Sequence, residues 1–191
     1  MSRSAIPCGP LAQRIAGTAC AALLLSATGC ATMAPPPPPE LQLRLPPAAL
    51  GKSLALQEHV RIEVRGNVFE LEALLEVDAD ELRLALLALG QVAARLRWDG
   101  RELTEQYAVG WPSHVSGERI LTDLQFVHWP PDAIAAALPQ GWELSDESGL
   151  RELRWHERLI ASARTEDPAS IALDNWADGY HMRIVSVPLQ D

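Results

Sequence analysis

From Ser53 to Arg65 apolar and polar residues alternate. Leu54, Leu56, Val60, Ile62 and Val64 fall on one parity; Ser53, Gln57, His59, Arg61, Glu63 and Arg65 fall on the other. Period two marks a strand with one buried face. Glu58 is the exception, an acid on the apolar parity. Gly66-Asn67 predicts a turn. The alternation resumes with Phe69, Leu71, Ala73, Leu75 and Val77 set against Glu70, Glu72, Glu76 and Asp78. Asp78-Ala79-Asp80 turns the chain again, and Leu82, Leu84 and Leu86, then Val92, Ala94, Leu96 and Trp98, continue the pattern. Asp99-Gly100 is a strong hairpin signal, and Leu103, Tyr107 and Val109 follow it. The first half therefore predicts an antiparallel meander with one apolar face.

The period then changes. Ile120, Leu121, Leu124 and Val127 are spaced as one face of a helix. Trp129-Pro130-Pro131-Asp132 ends that helix. Pro131 can open a second, over Asp132–Leu138, because a proline in the first turn forfeits no hydrogen bond. After Pro139-Gln140-Gly141 strand patterns return at 142–144, 150–155, 159–165, 171–176 and 180–187. Nine or ten strands with two short helices inserted after the fifth predict a mainly β domain. A one-sided sheet must cover its apolar face. Two short helices cannot fill a large curved sheet, so either the sheet closes tightly or a cavity remains beneath the helices.

The N-terminus adds a location. Arg3 and Arg14 precede the small and apolar run IAGTACAALLLSATG at 15–29. The run is too short for a comfortable membrane span and reads as a signal peptide. It ends in Ala27-Thr28-Gly29-Cys30, which resembles the bacterial lipoprotein box. That resemblance implies removal of residues 1–29 and lipidation of Cys30. Cys8 and Cys20 would leave with the signal, so Cys30 would have no internal disulfide partner. Ala31, not aspartate, follows the cysteine; in such lipoproteins this implies the outer membrane, with the domain facing the periplasm. Pro35 to Pro39 form a stiff spacer. The expected plan is a signal peptide at 1–29, a lipidated N-terminus and proline-rich linker at 30–50, and one domain at 51–191. Loss of Arg3 and Arg14 takes the net charge from −9 to −11. Such a domain is a poor partner for nucleic acid, and any membrane contact should be hydrophobic and local.

Candidate chemistry is sparse. His59, His114, His128, His156 and His181 show no metal-pair spacing and are expected to be solvated. There is no nucleophile elbow and no glycine-rich phosphate loop. Glu70, Glu72 and Glu76 share a face that should be solvated. No cofactor is implied and the protein is not expected to be an enzyme. Trp98, Leu121, Leu124, Trp129, Trp142 and Trp155 fall on or beside apolar faces. They are either core or the wall of a cavity for acyl chains.

One stretch resists the pattern. Leu87-Ala88-Leu89-Gly90 puts leucines where the chain should reverse. With the order of elements, the run Leu84–Gly90 resembles the LolB family of outer-membrane lipoproteins, which accept lipoproteins from the periplasmic carrier LolA. In that family a leucine-rich strand enters a Pro-Leu-Gly loop whose exposed leucine supports release into the membrane. Leu89-Gly90 matches the Leu-Gly, and Ala88 stands in place of the proline. The segment Thr122–Leu138 is similar in kind. Leu121 to Gln125 through Trp129-Pro130 looks like a group of uncharacterised LolB-like lipoproteins, often encoded beside aryl-polyene or lipid-biosynthesis genes. The resemblance spans about Leu54–Val187. It implies an incomplete, half-open antiparallel β-barrel with a short helical lid, as in LolA and LolB. It also implies an apolar cavity that takes the acyl chains of a lipoprotein or glycolipid, delivered by a LolA-like carrier, for insertion into the inner leaflet. Leu87 and Leu89 would be the membrane-insertion loop. The residues alone leave other readings open. The leucines could pack under the helices, or the domain could be an accessory lipoprotein that binds a protein partner of a lipid or polyene export system. An enzyme would need titratable groups converging in the cavity.

Overall fold

The structure is a computed structural model and describes residues 37–189. The expected signal peptide, Cys30 and the first two prolines of the spacer lie outside those residues.

Ten strands form one antiparallel sheet. They are β1 (Leu54–Val64), β2 (Asn67–Val77), β3 (Leu82–Ala88), β4 (Gln91–Trp98), β5 (Leu103–Tyr107), β6 (Trp142–Glu147), β7 (Leu150–Trp155), β8 (Arg158–Asp167), β9 (Ser170–Asn175) and β10 (Tyr180–Pro188). The order across the sheet is β5-β4-β3-β2-β1-β10-β9-β8-β7-β6. Each half is a meander, and β1 pairs with β10 to join them. The sheet is not closed: β5 and β6 are its two edges. Helices α1 (Gly117–His128) and α2 (Pro131–Ala137) come between these two strands in the chain. A mainly β domain with two helices inserted after the fifth strand is what the periodicities predicted, and the open sheet is consistent with the half-open barrel that the resemblance implied.

Alternation sets the inner face. Ala73, Leu75 and Val77 of β2, Leu82, Leu84 and Leu86 of β3, and Ala94, Leu96 and Trp98 of β4 are all buried. Leu153, Ile160, Ala161, Leu173 and Ile184 continue this core in the other half. Helix α1 starts at Ser116, whose hydroxyl accepts from the Arg119 amide at 3.3 Å. Gly117 fits there because a Cβ would stand 2.7 Å from the Glu105 side chain. At the other end Arg151 of β7 donates to the Trp129 carbonyl at 3.0 Å and to that of Phe126, satisfying groups that a helix C-terminus leaves open.

A segment expected in the linker belongs to the core. Leu43, Leu45 and Leu50 are buried. This strap, Leu41 to Leu50, lies along α1. The Leu43 amide donates to Thr122 Oγ1 at 3.2 Å and the Leu45 amide to Gln125 Oε1 at 3.0 Å. The Leu45 carbonyl accepts from Gln125 Nε2 at 2.9 Å and from the Trp98 indole at 2.8 Å. The packed domain therefore begins before residue 51, and only the chain ahead of Leu41 can act as a spacer.

Candidate functional site

The β3–β4 hairpin closes through two residues, Leu89 and Gly90, since Ala88 pairs with Gln91. Both have positive φ, 52° and 74°, as a tight two-residue turn requires. Asparagine or aspartate usually takes the first position, because a left-handed backbone strains a residue with a Cβ by roughly 1–2 kcal/mol. Among the described residues three other non-glycine residues share this conformation: Arg65, Ser148 and His156. All three are polar. Leu89 is apolar and fully exposed, at 102 %. The position thus combines backbone strain with an apolar side chain in solvent, a pairing that folding alone does not favour.

Leu87, its expected companion, is half-buried and lies opposite Glu72 and Val92 in the sheet. A bulge between Leu86 and Leu87 leaves Ala93 without a partner on β3. The tip is therefore a single leucine. Val109, just past β5, is equally exposed at 107 %; the Ala108 amide bonds to the Ala93 carbonyl at 2.9 Å, which places Val109 beside the same hairpin.

The six aromatic and aliphatic positions expected near a cavity lie in or against the core. Trp98, Leu121 and Trp129 are fully buried, and Trp142 is nearly so. Leu124 and Trp155 are partly buried and pack on the same core. The Trp129 indole reaches the Pro46 carbonyl at 3.4 Å. Trp142 and Trp155 meet at 5.5 Å between ring centres. Two concavities of about 360–370 Å³ lie elsewhere. The larger is bounded by the β1–β2 and β9–β10 turns, including Arg65, Asn67, Val68, Trp176, Tyr180 and His181. None of the six lines either one.

The seam between α1 and the sheet is polar at both ends. Glu58, the exception to the alternation, is buried on the inner face, at 1 % exposure. Ser186 donates to its Oε1 at 2.9 Å. His128, the last residue of α1, brings Nε2 to 3.2 Å from the same oxygen, off the line of a good hydrogen bond. His128 was expected in solvent; the close of α1 over β1 buries it instead. The carboxylate sits between the serine and the histidine, so the imidazole is not placed to activate the hydroxyl. At the start of α1, Arg119 donates to the Tyr180 hydroxyl at 3.0 and 2.8 Å and pairs with Asp178. Tyr180 in turn donates to Asp123 at 2.6 Å.

Burial pushes the Asp123 carboxyl up to about 6, against the opposing pull of Arg119. A carboxyl raised on folding binds more protons in the folded state, so its contribution to stability falls as pH rises through that range. The stability gap between wild type and Asp123→Asn should therefore be smaller near pH 7 than near pH 4.5, and urea titrations at the two pH values check this. A gap that widens with pH would mean that Arg119 outweighs burial.

A family model of proteins of unknown function, DUF3261, matches residues 55–188. The chain belongs to the DUF3261 family. No curated protein matches it. The DUF3261 match begins one residue into β1 and ends with β10. It takes in the sheet, both helices and the Leu89 turn, and leaves out the strap. No helix among the described residues of this DUF3261 chain is long and apolar enough to cross a membrane.

Proposed function

We propose that the protein is an outer-membrane lipoprotein, anchored through Cys30, whose LolB-like domain binds acyl chains and passes a lipidated cargo into the inner leaflet. The observation that carries this reading is Leu89, strained and fully exposed at the tip of a two-residue hairpin turn. Inserting one leucine into lipid gains about 1.5–3 kcal/mol. That is small beside an acyl anchor but enough to orient the domain and disturb the leaflet locally. The polar seam under α1 supports a lid: Gln125, Glu58, His128, Arg119 and Asp123 can exchange their partners for water when the helix lifts, and apolar surface beneath would then face an acyl chain. Transfer would follow an affinity gradient from carrier to domain to bilayer.

The test is transfer of an acyl probe to liposomes. Wild type should release the probe, and Leu89→Glu should retain it. A domain that refuses every acyl probe sinks this reading. Leu89→Asn separates strain from function. It should stabilise the domain by about 1 kcal/mol, since asparagine tolerates the left-handed conformation, while slowing transfer; a urea midpoint and the same assay report both.

A second reading draws on a specific observation. The space between α1 and the sheet is filled by Trp98, Leu121, Trp129 and the strap. A filled interior favours an accessory lipoprotein that binds a protein partner of a lipid or polyene export system and holds no lipid. Empty protein on native mass spectrometry after extraction from cells would favour it.

A further inference from the structure

The antiparallel order sorts the links between strands into two ends. One end carries the β1–β2, β3–β4, β7–β8 and β9–β10 turns and the exit from β5. The other carries the β2–β3, β4–β5, β6–β7 and β8–β9 turns. The two ends differ in their exposed apolar residues. At the second end acids stand in or beside every turn, Asp78 and Asp80, Asp99, Glu147 and Asp167, and Val187 is half exposed; the turns of the first end hold Glu157 and Asp178. At the first end stand Val68, Phe69, Leu89, Val109 and Trp176, each about half exposed or more. Val68 and Trp176 border the same concavity, so they form a cluster separate from the Leu89 hairpin.

The chain also enters at this end. Leu43 bonds to Thr122, Leu45 to Gln125, and Pro46 to Trp129, so the strap runs parallel to α1. Helix α1 begins beside Asp178 of the β9–β10 turn and Tyr180 at the start of β10. The segment leading back to Cys30 therefore leaves from the side of the apolar turns.

We propose that this whole end is a lipid-docking face, with a second foothold at Val68, Phe69 and Trp176 besides the tip at Leu89. The inference rests on the reading of an anchored lipoprotein and adds its orientation. Two things select lipid as the occupant. The tether leaves from this end, and a half-exposed indole beside Val68 suits the headgroup boundary. Docked in this way, the domain stands with its strands rising from the bilayer and its other end facing the periplasm.

The experiment uses the full-length lipidated protein in vesicles of phosphatidylethanolamine and phosphatidylglycerol with brominated acyl chains. Trp176 is the exposed member of the six tryptophans, so emission of wild type minus Trp176→Phe isolates it. Docking predicts loss of this signal in brominated vesicles, and partial recovery with Leu89→Glu or with Val68→Ser plus Phe69→Ser. Protein that sediments with vesicles but leaves Trp176 unquenched overturns the docking face and spares the anchor. Protein that carries no lipid and stays in the supernatant overturns both. All four substituted side chains are exposed, so folding should not change; a urea midpoint equal to wild type verifies it.

Discussion

A chain begun at Gly51 should fail to fold cooperatively, although it retains every residue of the family match. Leu43, Leu45 and Leu50 are buried within the same range as the core leucines of the sheet. Burying each contributes about 1.5–3 kcal/mol, and a domain of this size holds about 5–15 kcal/mol in total. The loss goes beyond hydrophobic area. Without the strap the Gln125 amide and the Trp98 indole lose their partners at Leu45, and a buried polar group left unsatisfied costs about 1–3 kcal/mol. Residues 37–191 and 51–191 should be compared by circular dichroism during urea titration. The longer chain should show a single steep transition and the shorter one none. A shorter chain with a single transition at the same urea midpoint as the longer would mean the strap merely rests on the domain.

Trp98→Ala should destabilise the protein by about 3–5 kcal/mol, the range for truncating a large buried aromatic. Trp98 is 1 % exposed at the end of β4 and bonds to Leu45 at 2.8 Å, and the Arg44 guanidinium lies 5.6 Å from its ring centre. Trp98→Phe keeps most of the volume and loses one hydrogen bond, while the Leu45 carbonyl keeps its bond from Gln125, so it should cost about 0.5–1.5 kcal/mol. Urea midpoints at constant slope measure both. The result also bears on function. A side chain that lines a space kept for acyl chains has fewer neighbours to lose, so a cost below about 1 kcal/mol for the alanine variant would move Trp98 from the packed core to a cavity wall.

Much of this was legible along the chain because the strands are one-sided. Each inner residue from Leu54 to Trp98 announces its parity, and the change of period at Ile120 marks α1 within a few residues. The strap was harder. Leu41, Leu43 and Leu45 alternate like a strand, yet the proline run before them suggests a spacer. Their backbone bonds go to the side chains of Thr122 and Gln125, partners that no local pattern reveals. Glu58 could be singled out by parity alone, as an acid at an inward position. His128 could not, because its burial depends on where the end of α1 comes down over β1. The turn at Leu87–Gly90 was recognisable as an anomaly, but only backbone geometry separates its two leucines into one exposed tip and one sheet residue.

The open seam has a consequence for how the molecule meets other chains. A sheet that does not close leaves two rows of unpaired backbone groups, which invite strand addition and aggregation. Here both rows are poor templates. Strand β5 is five residues long and carries Thr104, Glu105 and Gln106 at its centre. Strand β6 is six residues long, with Glu143, Asp146 and Glu147. Short, charged margins resist self-association, so the sheet can stay unclosed without polymerising through its gap.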